Sequence, residues 1–168
     1  YMNNRMYNWS VDFEVFIKST SQDIWQIISK KENLNNFHPF CQKNISHSWG
    51  KDNHNDEIKY LNGHTFRRKI VRWMDNVGYD LYINQVGKPA SFVSWRLSPE
   101  GDNSKISITV YPYLFNNGFK AINFFPFFLI VKPLLKSYLK SVLYGLRLYA
   151  EEDVSIKPNQ FGKHIWFS

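Results

Sequence analysis

From Ser10 to Lys18 the odd positions Val11, Phe13, Val15 and Ile17 are apolar, while Ser10, Asp12, Glu14 and Lys18 are polar. A period of two predicts a half-buried strand. Ser19, Thr20 and Ser21 then offer N-caps, and Thr20 with Asp23 resembles a capping box ahead of Ile24, Trp25, Ile27 and Ile28. A short helix is therefore expected to end near Lys30, with a second small one from Glu32 to Phe37 that Pro39 stops.

Six further short strands are predicted, Asn44 to Trp49, Glu57 to Leu61, Thr65 to Trp73, Tyr79 to Val86, Ser91 to Leu97 and Lys105 to Leu114. The segments between them, Lys51 to Asp56, Asn62-Gly63, Asp75 to Gly78, Gly87 to Pro89 and Pro99 to Asn103, are turn chemistry. Short links of this kind imply an antiparallel meander. Alternation turns Tyr79, Leu81 and Ile83 to one face, as it does Val93, Trp95 and Leu97, and Ile106, Ile108 and Val110. These sets are expected to face inward. Thr65 to Trp73 is ambiguous, because Arg67, Arg68, Lys69 and Arg72 put charge on both of its faces.

The aromatic stretch from Asn116 to Val131 reads as a connector, and Pro133 suits the first turn of the helix after it. Leu134, Leu135, Tyr138, Leu139, Val142, Leu143, Leu146, Tyr149 and Ala150 recur at helical spacing, with Lys132, Lys136 and Lys140 on another side. Val154 to Ser168 has no periodicity, but Phe161, Trp166 and Phe167 predict that it packs. The expected class is α+β: about seven antiparallel strands in a curved sheet gripping a long C-terminal helix, with two short helices after the first strand. One domain over residues 1–168 suits this length, with 154–168 as its packed tail.

A composition 43% hydrophobic and 18% aromatic excludes a disordered chain. Cys41 is the only cysteine, so an internal disulfide and a cysteine-rich zinc site are both excluded, and a reducing compartment fits. Pro126, Lys132 and Pro133 interrupt the richest apolar run short of the ~20 residues of a membrane span. No signal-peptide pattern opens the sequence, and a soluble, cytoplasmic protein is the expectation. The net charge of +7 suits phosphates or an anionic membrane surface as partners, and bears on association rather than fold.

Three stretches resemble a known superfamily. They are the opening from Val15 to Trp25, the Phe37-His38-Pro39 step, and Ser94-Trp95-Arg96-Leu97 ahead of the Gly101 turn. Together with the order of elements they resemble the START-like or SRPBCC proteins of helix-grip fold, which include polyketide cyclases and lipid carriers. The ending from Asn159 to Ser168 is similar to the tail of a bacterial subgroup. The resemblance implies a cavity between the sheet and the long helix. Alternation and helical spacing then supply its lining: Ile58, Tyr60, Tyr79, Leu81, Trp95, Ile108, Leu135, Tyr138, Leu139 and Val142. Tyrosine and tryptophan combine apolar area with a polar tip, which serves a ligand pocket and equally a filled core.

Catalytic signals are sparse. His38, His47, His54, His64 and His164 show no metal-ligand spacing, and no metal is expected. His38 and His64 can each act as acid or base if turned inward beside a carboxylate or tyrosine, but a surface or structural place is the default. Arg68 or Arg67 can enter the cavity only with an acidic partner or an anionic ligand, so a solvated outer face is expected for this basic cluster. A nucleophile elbow, a phosphate-binding glycine loop and a dinucleotide fingerprint are all missing from the sequence, and no cofactor is implied. The aromatic residues fall on inward faces, which argues against nucleic acid as a partner. The apolar connector beside the lysine row can touch an anionic membrane transiently, or close the core beneath the helix. Binding or transport of a hydrophobic small molecule, lipid-like or polyketide-like, is the expected function. A cyclase or dehydratase comes next, and an interaction module third.

Overall fold

The computed structural model describes residues 7–50 and 52–168. Strand β1 (Val11–Ile17) leads to α1 (Ser21–Ser29) and α2 (Leu34–Phe37). Six strands follow: β2 (Cys41–Gly50), β3 (Asn53–Tyr60), β4 (Thr65–Met74), β5 (Gly78–Asn84), β6 (Ser91–Glu100) and β7 (Asn103–Tyr111). They form one seven-stranded antiparallel sheet in the order β1-β7-β6-β5-β4-β3-β2. The meander is continuous from β2 to β7, and β1 closes the row by pairing Val11 with Val110 and Ile17 with Ser104. Helices α1 and α2 thus carry the chain from one edge strand to the other.

Local chemistry accounts for these elements. Thr20 caps α1, its Oγ1 accepting the Asp23 N–H at 3.2 Å and donating to the Asp23 carboxylate at 2.6 Å. Along β7 the residues alternate strictly between buried and half-buried, with Ile106, Ile108 and Val110 inward as their spacing predicts. Tyr79, Leu81, Val93, Trp95 and Leu97 are buried on the same side, and Ile83 is half-buried there. Gly78 is held at φ 141°, where a Cβ would lie 2.0 Å from the Trp95 carbonyl oxygen, so the β5–β6 start demands glycine.

Two segments differ from the sequence reading. Residues 53–56 belong to β3 rather than to a turn, and Lys51 lies outside the described residues. This polar stretch is strand because its side chains find partners in β2 and β4, with Asp56 paired to Arg68 across the register. The aromatic connector is also not a separate link. Helix α3 (Lys120–Pro126) runs through a π-helical turn (Phe127–Val131) into α4 (Lys132–Glu152), so Pro133 sits well inside a continuous helix. The Lys132 N–H bonds to the Phe127 carbonyl five residues back, immediately before a proline that has no N–H to give. By length and composition the 33-residue helix Lys120–Glu152 could cross a membrane, although Pro126, Lys132 and Pro133 interrupt its apolar run.

Helix α4 turns Leu135, Leu139, Val142, Leu143 and Leu146 into the core against the sheet and α2. Gly145 marks its closest approach: a Cβ there would lie 2.1 Å from the Phe37 carbonyl oxygen. The last residues return to pack on β3, β4 and α4. Phe167 stacks 4.5 Å from Tyr60 and 4.6 Å from Tyr138, and buried His164 places its Nε2 2.8 Å from the Leu134 carbonyl.

Candidate functional site

Between the inner sheet face and α4 lies an apolar cavity of about 120 Å³. Of the lining expected from the sequence, Ile58, Tyr60, Leu81, Trp95, Ile108, Leu135, Tyr138, Leu139 and Val142 surround this space. Tyr79 does not. It is buried behind the wall, stacked between Trp73 and Trp95 at 5.7 Å from each ring, because its neighbours across β4 and β6 are themselves aromatic. A second hollow of about 290 Å³ adjoins the first, sharing Phe66, Tyr113, Leu135 and Phe167 and reaching outward past Leu114, Val131 and Trp166.

The cavity has one polar pole. Phe40 donates its N–H to Nδ1 of His38 at 3.2 Å, which leaves the ring proton on Nε2. That Nε2 lies 2.8 Å from the Tyr138 hydroxyl, which in turn lies 2.9 Å from the Tyr60 hydroxyl. His38 has therefore turned inward beside a tyrosine, the condition under which it was a candidate. Burial, reinforced by the charge of Arg68, lowers its pKa to about 3 and keeps it neutral. Burial also pushes Tyr60 up to about 12 and Tyr138 well above the ordinary tyrosine value. Both phenols hold their protons and serve as hydrogen-bond donors. His64, by contrast, is exposed beside the outer hollow and takes no part in this cluster.

Arg68 departs from the solvated position expected of it. It is only 6% exposed and lines the cavity, with Nε and Nη2 donating to the two oxygens of Asp56 at 2.7 and 2.5 Å. Burial works against its charge, but the adjacent carboxylate outweighs that and raises the guanidinium pKa. Asn44 completes the arrangement, donating from Nδ2 to Asp56 and to the Glu57 carbonyl, each at 3.0 Å. Arg67, on the opposite face of β4, remains exposed beside Glu57. The sequence implies the need for an acidic partner but conceals Asp56 in that role, because residues 51–56 have the composition of a turn. The legible signal was the alternation of Asp56 with Ile58 and Tyr60 on one face.

Hydrogen-bond arithmetic leaves one donor over. The cluster holds three protons, on His38 Nε2 and the two phenols, and only two contacts to fill among them. Whichever way the phenols are turned, one O–H at the cavity wall has no acceptor among the described residues. The site can accordingly receive an acceptor atom on an otherwise apolar molecule.

No family model matches the chain, and no curated protein matches it in sequence. Solved structures do match. DynU16, from the dynemicin biosynthetic locus, superposes with a TM-score of 0.66 at 11% identity over 88% of this chain and 49% of its own, so this chain spans about half its length. Aha1 from Colwellia psychrerythraea, solved as a dimer, gives 0.64 at 13% identity over 86% of this chain and 98% of its own. CalU16 from Micromonospora echinospora gives 0.59 at 14% identity over 86% and 77%. At such identities the likeness establishes the fold alone, and the chain has the helix-grip fold, consistent with the START-like or SRPBCC superfamily that its sequence resembles.

Proposed function

We propose that the protein binds a small, largely apolar molecule bearing one hydrogen-bond acceptor, without catalysing its conversion. The observation that carries this reading is the uncommitted phenolic O–H in an apolar cavity. Acceptors left unmet there would cost a ligand its solvation, whereas a carbonyl or ether oxygen placed beside Tyr60 and Tyr138 recovers a hydrogen bond. Size is the second constraint. A space of about 120 Å³ suits one ring or a short branched chain, and a longer molecule would extend into the adjoining hollow.

Acetophenone and ethylbenzene have nearly the same shape and differ in the acceptor. Titrated by NMR, acetophenone is expected to bind about five- to tenfold tighter, with shifts at the Tyr60 and Tyr138 rings. Equal affinity, or preference for ethylbenzene, would remove the polar pole from the reading. Failure of both to bind would remove the cavity.

A proton-moving enzyme of the cyclase or dehydratase kind is the second reading, favoured by the neutral imidazole joined to two phenols. The raised pKa of both phenols tells against it, since neither gives up its proton readily. Purification from cells followed by native mass spectrometry separates the two. A carrier retains its ligand unchanged, whereas an enzyme returns a supplied substrate altered in mass or ring count.

A further inference from the structure

Helix α3 and the π-helical turn carry an apolar surface that the core does not use. Phe127 and Val131 face inward and Phe128 is half-buried, but Phe119, Ile122, Phe125 and Leu129 are 66 to 81% exposed, and Phe115, Phe124 and Ile130 are also exposed. Isolated exposed apolar residues are ordinary; seven between 115 and 130 form a patch that calls for an occupant.

Charge indicates which. No aspartate or glutamate occurs between residues 103 and 150, whereas Lys120, Lys132, Lys136 and Lys140 all do, and all four are exposed. Ile122, Phe125, Leu129, Lys132, Lys136 and Lys140 follow one another by three or four residues, so one flank of the continuous helix passes from apolar to basic. The Lys120 ammonium lies 4.2 Å from the Trp9 ring centre and that of Lys132 5.3 Å from Phe128, which holds both charges at the border of the patch. We propose that this surface docks the protein on an anionic lipid bilayer, the apolar end entering the acyl boundary while the lysines meet the phosphates.

Geometry limits the contact to the interface. The stretch from Phe119 to Ile130 that carries most of the exposed residues covers roughly 18 Å as helix, against roughly 30 Å of hydrocarbon. The remaining turns supply Leu135, Leu139, Val142 and Leu146 to the core, so spanning would dismantle the grip. A second copy fits less well, because a two-fold contact through this row would bring lysine against lysine, and the helix itself supplies no carboxylate before Glu151. Leu114 and Val131 belong both to this region and to the outer hollow, so docking brings the hollow to the membrane surface. The inference does not depend on what fills the cavity.

Flotation of the full chain with vesicles of phosphatidylcholine alone, or with about 30 mol% phosphatidylserine, tests it. Binding is expected to the anionic vesicles only and to fall as salt rises. Ile122→Asp with Phe125→Asp, and separately Lys132→Glu with Lys136→Glu, should each weaken it about tenfold with the melting temperature unchanged. The proposal is overturned by no binding, by equal binding to neutral vesicles, or by variants that bind as the parent does. Dimers in solution abolished by Phe125→Asp, without vesicle binding, would overturn it in favour of a protein interface. So would carbonate-resistant membrane insertion, in favour of a span. Ligand titration is done without vesicles, so either reading can fail while the other stands.

Discussion

Arg68 and Asp56 show how two residues suited to solvent become an internal support. Each satisfies the other in a bidentate pair, and Asn44 fills one of the remaining acceptor sites. Arg68→Met leaves a buried carboxylate without its cation and should cost about 3–5 kcal/mol in urea unfolding. Adding Asp56→Leu should recover most of that loss, since Asn44 keeps the Glu57 carbonyl. A double variant as unstable as the single one would show that the pair contributes more than mutual neutralisation. His38 makes a prediction through pH. Its folded pKa of about 3 lies below the usual unfolded 6.5, so between those values the unfolded chain binds the extra proton. Its contribution to stability is complete above that range and is lost as pH falls through it, by at most about 1.4 kcal/mol per pH unit. His54 and His164 shift in the same direction, so the parent curve contains all three. The difference between the parent and His38→Gln isolates the one. Parallel curves from pH 4 to 7 would mean that His38 is reached by solvent.

Helix α4 depends on Gly145 as much as on its leucines. The helix has seven buried residues, and glycine is the only residue type that lets it meet the α2 backbone without a clash. Gly145→Ala should destabilise by about 1–3 kcal/mol, whereas Gly50→Ala, with nothing within 4 Å of its added Cβ, should be near neutral in the same assay. If Gly145→Ala proves stabilising through its better helix propensity, the contact between α2 and α4 is looser than described. The same helix shows why an element's start is harder to read than its middle. Leu134 onward is amphipathic and legible, but between Phe119 and Val131 both faces are apolar, so no period emerges.

The cavity, the polar pole and the outer hollow belong to the assembled molecule, and Tyr138 tests them together. It touches His38, Tyr60, Phe40 and Phe167 as well as the open space. Tyr138→Trp adds volume and removes the hydroxyl, so acetophenone binding should be lost while stability falls by about 1–3 kcal/mol. Undiminished binding with reduced stability would place the ligand in the outer hollow beside Leu114 and Trp166.

Strand alternation was enough to orient β5, β6 and β7, because a side-chain period of two assigns faces whatever the partner strand is. Nine of the ten expected lining residues surround the cavity, strand alternation placing Ile58, Tyr60, Leu81, Trp95 and Ile108 and helical spacing placing Leu135, Tyr138, Leu139 and Val142, whereas Tyr79 is left out because aromatic neighbours on both adjacent strands close over it. Thr20, Asp23 and the Asn62-Gly63 turn were equally legible, since caps and turns act over a few residues. The hydrogen-bonded chain from His38 to Tyr60 was not, for it joins residues 100 and 78 positions apart. Neither was the burial of Arg68, which depends on a carboxylate brought opposite by strand register. Local periods are written in neighbouring residues, whereas the partner of a buried charge or a buried proton is supplied only when distant strands and a helix close on one another.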